Sequence, residues 1–272
     1  MRKDTSDLIP QKYKKHFKEG RGLGEGVGYI PWIKINEFSS KGRATRIMGI
    51  KTNRIHHLHS DNQLRTFLIF EWSDKVVDIR ECYPLLDLMK VIDDKKNLFM
   101  GKFTDKQTGD QLIITTSFLI TLKETDGTKK YIARAVKSSP ELCKKITMEK
   151  LEIERRYWEA KNIDFKVITD KELNRQLCKN IQWVREAFLD NLEVVGDMKS
   201  TSELLYFTLF NNQDIAVNEV IKGLEKRNEL DRGMALYVFR YLLAIKKIKV
   251  DMTKSIDLKL IVKKLVIFPE EE

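Results

Sequence analysis

What this sequence lacks narrows its function before any motif is considered. No apolar run in the 272 residues approaches the roughly 18–20 that a membrane helix requires. The opening residues, MRKDTSDLIPQKYKKHF, hold no apolar signal-peptide core. Both point to an intracellular protein. Cysteine is scarce: Cys82, Cys143 and Cys178 are widely separated, odd in number and form no CxxC pair. Neither a zinc site nor a redox dithiol is indicated, and reduced, mostly buried thiols are expected. The glycine-rich stretch GRGLGEGVGYIPWIK is followed by no Gly-Lys-Ser/Thr, so it is not a Walker loop. No strand leads into it and no helix leaves it, so it is not a dinucleotide fingerprint either. Flexible turns are the expectation there, with a loop whose backbone hugs a phosphate as the alternative. No internal repeat is present, and no low-complexity tail beyond Glu270–Glu272.

Acidic residues are also in deficit. Fifty Lys and Arg face 40 Asp and Glu, for a formal net charge of +10. Such a balance attracts polyanions such as nucleic acid. Membrane-surface binding is less well supported, because no basic amphipathic helix with an exposed apolar face stands out. The densest basic cluster is Arg43, Arg46, Lys51 and Arg54, in KGRATRIMGIKTNRIHH. Charges on one face suffice to hold a phosphate backbone without reading bases, so these four are the candidate DNA contacts.

What is present supports a two-domain globular chain. Hydrophobic residues make up 42%, enough for a real core, and the length suits two domains of roughly 100–200 residues. A basic helix is expected over residues 1–19, ended by Gly20. Ser60-Asp61 caps a helix through NQLRTFLIFEW, with Leu64, Phe67, Leu68 and Trp72 facing a core. KVVDIRECYPLL forms a strand that turns at Pro84, and residues 87–111 form an exposed insertion. Asp126-Gly127 joins a hairpin over Thr115–Lys137. Ser139-Pro140 opens a helix on which Leu151, Glu154, Arg155 and Trp158 recur at helical intervals. A strand, DFKVI, follows, with Thr169 or Asp170 capping the next helix. This order predicts an α/β domain with a mixed sheet over residues 1–168. Beyond it, helical periodicity dominates and short basic β-type segments follow. Residues 169–272 are therefore expected to be a smaller, mainly helical, winged-helix-like domain.

The motifs KEGRGLGEGVGYIPWI, GRATRI, KTNRIHHLHSD, EWSDKVVDIRECYPLL, TTSFLIT, ARAVK and EKLEIERRYWEAKNI occur in one order. In that order the chain resembles TnsA, the endonuclease subunit of heteromeric transposases of the Tn-seven type. The resemblance covers most of residues 17–170 and is weaker beyond. It implies a restriction-endonuclease-like N-terminal fold, Mg²⁺ as cofactor and cleavage of the 5′ strands at transposon ends. It also implies two partners besides DNA: a DDE-type transposase subunit, and an ATPase regulator that contacts the C-terminal domain. A bacterial cytoplasmic setting follows from the same resemblance.

The family site carries a helical Glu, a strand Asp and a Lys on the next strand. Mg²⁺ takes hard oxygen ligands, usually one or two carboxylates with water and phosphate. In this sequence the matching positions are Gln63, Ser117 and Lys137. The resemblance thus implies a nuclease scaffold whose metal site has lost both acids. Glu to Gln is a common deliberate inactivation, but Asp to Ser is not, which favours a naturally degenerate copy. Asp78 and Glu81 are the acids that could hold an ion from a displaced position, against the plainer expectation that they pair with Arg80 or Lys75 or lie at the surface. Glu154 is expected to pair with Arg155 or Arg80. His56, His57 and His59 could share a metal, but hydrogen bonding in a basic loop accounts for them more simply. Trp72, Trp158 and Trp183 are expected in cores, while Trp32 is open between packing and base stacking. Three functions follow: an impaired DNA-binding transposase subunit, an active nuclease using Lys137 with displaced acids, or a generic intracellular DNA-binding protein.

Overall fold

A computed structural model describes residues 11–37, 42–190, 198–227 and 230–269. Contacts divide the chain into two compact units, Met1–Leu173 and Asn174–Glu272. Among the described residues, no helix is long and apolar enough to cross a membrane.

The first unit is built on a four-stranded sheet in the order β3 (Val76–Pro84), β4 (Thr115–Lys123), β5 (Lys129–Val136) and β6 (Asp164–Ile168). Neighbours β3, β4 and β5 run antiparallel, and β6 joins β5 in parallel. The β4–β5 connection turns where expected: Gly127 takes φ +83°, which costs glycine little, and Asp126 accepts from the Thr128 amide. The parallel pair needs a crossover, supplied by α4 (Lys145–Ala160). Leu151, Ile153, Glu154, Tyr157 and Trp158 form its buried stripe. The Trp158 indole donates to the Thr116 hydroxyl at 2.8 Å, so burial leaves its one polar atom satisfied. Arg155 lies outside that stripe, bound to Glu152 and Glu159. Glu154 instead approaches Lys150, at 3.6 Å.

A second, two-stranded sheet joins β1 (Thr45–Met48) to β2 (Ile55–Leu58). It leads directly into α2 (Asp61–Trp72), whose Ser60 cap accepts from the Gln63 amide. Phe67 and Leu68 are fully buried, whereas Leu64 and Trp72 are only half-buried. One ion cluster fastens this hairpin to the sheet. Glu81 of β3 has no exposed surface, and Arg54 donates to both of its oxygens at 2.9 and 2.6 Å. The His56 ring lies 2.8 Å from the same carboxylate, and the His57 amide donates to it at 3.1 Å. Behind His56, Thr52 closes a 2.7 Å contact. Gly49 permits it: a Cβ there would lie 2.4 Å from Thr52 Oγ1 and 2.5 Å from His56 Nε2.

Several expectations require correction. The glycine-rich stretch is pinned to β3, not flexible. Gly26 donates to Asp78, the Tyr29 hydroxyl donates to the Glu81 carbonyl, and Trp32 donates to the Cys82 carbonyl. Trp32 itself is 1% exposed, which settles it as packing. The segment 87–111 is not wholly external, because Leu88 and Ile92 enter the core with Trp158. The helix after β6 is capped by Asn174, which accepts from the Leu177 amide; Thr169 and Asp170 bond elsewhere. The N-terminal helix is short, α1 (Lys14–Lys18), and residues 1–10 lie outside the described residues.

The second unit is mainly helical: α5 (Arg175–Asp190), α6 (Met198–Asn211), α7 (Val217–Lys226), α8 (Met234–Ala244) and the single turn α9 (Val262–Leu265). Among its described residues, the β-type segments form isolated bridges, Ala216 with Ile261 and Lys249 with Ile267. Trp183 is half-buried beneath the Arg240 guanidinium, 5.2 Å from the ring centre. Glu270–Glu272 lie outside the described residues.

Removing one partner of a buried pair strands the other charge and costs about 3–5 kcal/mol. Arg54→Met is therefore expected to lower stability in urea unfolding by about that amount, and far more than Arg43→Met, whose side chain is exposed. Burial pushes the Glu81 carboxyl up, but hydrogen bonds from Arg54 and His56 prevail and hold it at about 2. A carboxyl depressed in the folded state stabilises fully above its unfolded value, roughly 4.3. That stabilisation should disappear as pH falls from there toward 2. Acid titration of unfolding free energy should show this loss in the wild type and not in Glu81→Gln.

Candidate active site

Gln63, Ser117 and Lys137 come from three different elements, and the fold brings them to one cleft. The cleft has a volume of about 320 Å³ and is also lined by His59, Cys82 and Lys150. Its walls are apolar, including Ile33, Phe103, Leu112 and Ile114. Apolar walls of this kind strengthen the field of a charge beside them relative to open water.

Gln63 sits in the first turn of α2. Its backbone N–H donates to the Ser60 hydroxyl, and its side-chain oxygen accepts from the His59 backbone amide at 2.8 Å. The side chain therefore reaches back over the helix entrance, much as the Glu or Gln of a capping box does. Ser117 lies on β4 opposite a disturbance in β3. Residues two apart on a strand normally share a face, yet Glu81 meets the hairpin while Tyr83 packs on Trp158, 5.7 Å between rings. Between them Cys82 takes φ +47°, which turns the strand over. The Ser117 hydroxyl accepts from the Val136 amide at 2.9 Å. Burial pushes the Cys82 thiol up to about 12, so it is no nucleophile at neutral pH.

Lys137 follows β5 directly, its backbone amide bonded to Ile168 of the neighbouring strand. Its side chain is half-buried, and its ammonium has no hydrogen-bond or ion-pair partner among the described residues. Burial and then the charge of Lys150 hold its pKa below the ordinary lysine value, while Glu154 and Glu141 oppose the shift. Lys150 donates to the Thr115 carbonyl at 3.0 Å. Sequence reasoning missed Lys150 as a cleft residue. Its spacing one turn before Glu154 on α4, on the buried side of the helix, was the available signal.

The alternative acids are elsewhere. Glu81 is enclosed by Arg54, His56 and the His57 amide, with no exposed surface, and cannot offer a ligand oxygen. Asp78 accepts from Gly26 and lies 3.3 Å from Arg80, and it does not line the cleft. His56, His57 and His59 point to different partners: Thr52 and Glu81, the Ile35 amide, and the Ile33 carbonyl. Among the described residues, no three His, Cys, Asp or Glu side chains are grouped to hold an ion. Arg54 is withdrawn from any DNA surface by its burial against Glu81. Arg43 and Arg46 stay exposed, and Lys51 is half-buried. Arg46 shares the outer face of the hairpin with Met48 and Ile55.

Comparison with known proteins agrees with this architecture. Residues 73–170 match the family of TnsA-like endonuclease N-terminal domains, and residues 172–252 match that of TnsA endonuclease C-terminal domains. The transposon Tn7 transposition protein TnsA of Escherichia coli is 36% identical over 257 residues, covering 94% of this chain and 91% of that relative. A two-unit chain with this sheet, this cleft and this extent of similarity belongs to the TnsA-like family of transposase endonuclease subunits.

Proposed function

We propose that this chain is a TnsA-like subunit that has lost its nuclease activity and serves as a DNA-binding, structural or regulatory component of a heteromeric transposase. The observation that carries this reading is the donor set of the cleft. Where the family has two carboxylates, this chain has the Gln63 amide and the Ser117 hydroxyl. The Gln63 oxygen is already used by His59, and the Ser117 oxygen by Val136. Lys137 and Lys150 add positive charge beside them. Mg²⁺ dehydrates reluctantly and relies on carboxylate charge, so this set fits it poorly. Glu154 and Glu149 lie near on α4, but neither lines the cleft. Glu154 is fully buried, and burial raises its carboxyl above the ordinary range.

In this reading the subunit binds transposon-end DNA and joins a DDE-type transposase and an ATPase regulator in the bacterial cytoplasm. Its contribution is to complete the assembly, or to compete with an active copy. The exposed Arg43 and Arg46 supply part of the phosphate contact.

Two measurements test this. Calorimetry with Mn²⁺ should show no binding at the cleft of the wild type and binding by the double variant Gln63→Glu with Ser117→Asp. Equal binding by both would overturn the loss of the metal site. For DNA, each phosphate contact adds about 0.9 to the slope of log affinity against log salt. Arg43→Ala with Arg46→Ala should therefore flatten that slope by about 2. An unchanged slope would remove these residues from the interface.

A further inference from the structure

We infer that the cleft lined by Gln63, Ser117, Lys137 and Lys150 is a metal-free site for phosphoryl oxygens and takes a backbone phosphate of DNA. The inference rests on the proposed loss of the metal site and goes beyond it. It assigns the altered cleft a ligand of the opposite charge.

The argument is an inventory of donors and acceptors. A carboxylate only accepts, which suits a cation. An amide and a hydroxyl both accept and donate. In Gln63 the accepting oxygen is satisfied by the His59 amide, which leaves its NH₂ group to donate. In Ser117 the oxygen accepts from Val136, which leaves the hydroxyl proton. Both substitutions therefore replace acceptors with donors, and in both the acceptor half is consumed inside the protein. Lys137 adds an ammonium with no partner among the described residues, half-buried beside apolar walls. Lys150 donates to the Thr115 carbonyl and lies 3.6 Å from Glu154, with one of its three N–H groups to spare. Glu154 and Glu141 offset part of this positive charge, yet neither lines the cleft.

Two ammonium groups repel one another in a half-enclosed space, and a bound anion removes that repulsion. A phosphate group matches the set, since its oxygens accept several charge-assisted hydrogen bonds at once. Lysine binds phosphate as a compact point charge and needs no planar fork. The net charge of +10 and the similarity to a transposon endonuclease favour a DNA backbone phosphate as the occupant, so the cleft would grip a strand it does not cut.

The test uses the full chain in EDTA and follows thermal unfolding with inorganic phosphate against sodium chloride at equal ionic strength. Phosphate should raise Tm above the chloride control in the wild type. Lys137→Met should lose that shift, and Lys150→Met should reduce it. Gln63→Glu with Ser117→Asp should also lose it, while gaining a response to Mn²⁺ once EDTA is omitted. Where Lys137→Met fails to fold, Lys150→Met and the double variant carry the comparison. With a short duplex at fixed salt, Lys150→Met and Lys137→Met should each weaken binding, the latter about tenfold. No phosphate shift in the wild type, or the same shift in Lys137→Met, overturns the site. A phosphate shift with unchanged duplex affinity overturns the assignment to DNA in favour of free phosphate. Mn²⁺ binding at the wild-type cleft would instead overturn the loss of the metal site. A wild type that binds neither ion sinks this inference alone.

Discussion

The buried Glu81 carboxylate holds the N-terminal unit in register, and the cleft depends on it. It joins β3 to the β1–β2 hairpin. Isolated in the interior, this charge would be costly. The Arg54 guanidinium, the His56 ring and the His57 amide together surround it. Fixing His56 and His57 also fixes His59 two residues on, and His59 presents the amide that captures Gln63. The position of a cleft residue is thus set from a buried ion cluster, through one strand, to one helix cap. The same cluster explains why Arg54, in a stretch otherwise rich in exposed basic residues, faces inward.

The second constraint is the reversal at Cys82. A left-handed backbone at a non-glycine residue costs of order 1–3 kcal/mol and persists only when its surroundings enforce it. Here both sides enforce it: Glu81 is anchored to the hairpin, and Tyr83 is packed against Trp158. A regular strand would place both side chains on one face and lose one of the two anchors. Ser117 lies across from the reversal, where its hydroxyl takes the Val136 amide in place of a strand carbonyl. The irregularity needed to satisfy two buried anchors therefore also shapes the pocket wall.

The hairpin turn, the buried stripe of α4 and the cap of α2 were legible because each depends on neighbours in sequence. Asp126-Gly127, Trp158 and Ser60 behave as local chemistry dictates. The β1–β2 hairpin was not recognised, because its strands are four residues long and basic, and its inward face is completed by an acid more than twenty residues away. For the same reason Arg54 looked like a phosphate contact and Glu81 like a possible metal ligand. Each is consumed by the other, and only the fold reveals the pairing. The glycine-rich stretch was misread as flexible because its partners, Asp78 and the carbonyls of Glu81 and Cys82, lie about fifty residues further on. Only the resemblance pointed to Gln63, Ser117 and Lys137, which the fold gathers in one cleft. No periodicity in the sequence brings a helix start, a mid-strand residue and a strand end together.

Family membership and chemistry separate at this point. Similarity over 94% of the chain establishes the scaffold, but the reaction of a nuclease resides in a few side chains, and a fold can outlast them. In a cleft that held two carboxylates and a lysine, the acids outweigh the single ammonium and a divalent cation is drawn in. In the proposed reading, with both acids replaced, the charges of Lys137 and Lys150 are only partly offset by Glu154 and Glu141, and the cleft no longer favours a cation. Charge differences of this size act more strongly beside apolar walls than in open water. Lys137 would then be a burden in an empty cleft: it is half-buried, without a hydrogen-bond or ion-pair partner among the described residues, and repelled by its neighbour. On the proposal above, a bound phosphate would offset that repulsion. In the proposed reading, electrostatics alone connects the two substitutions to a change of ligand.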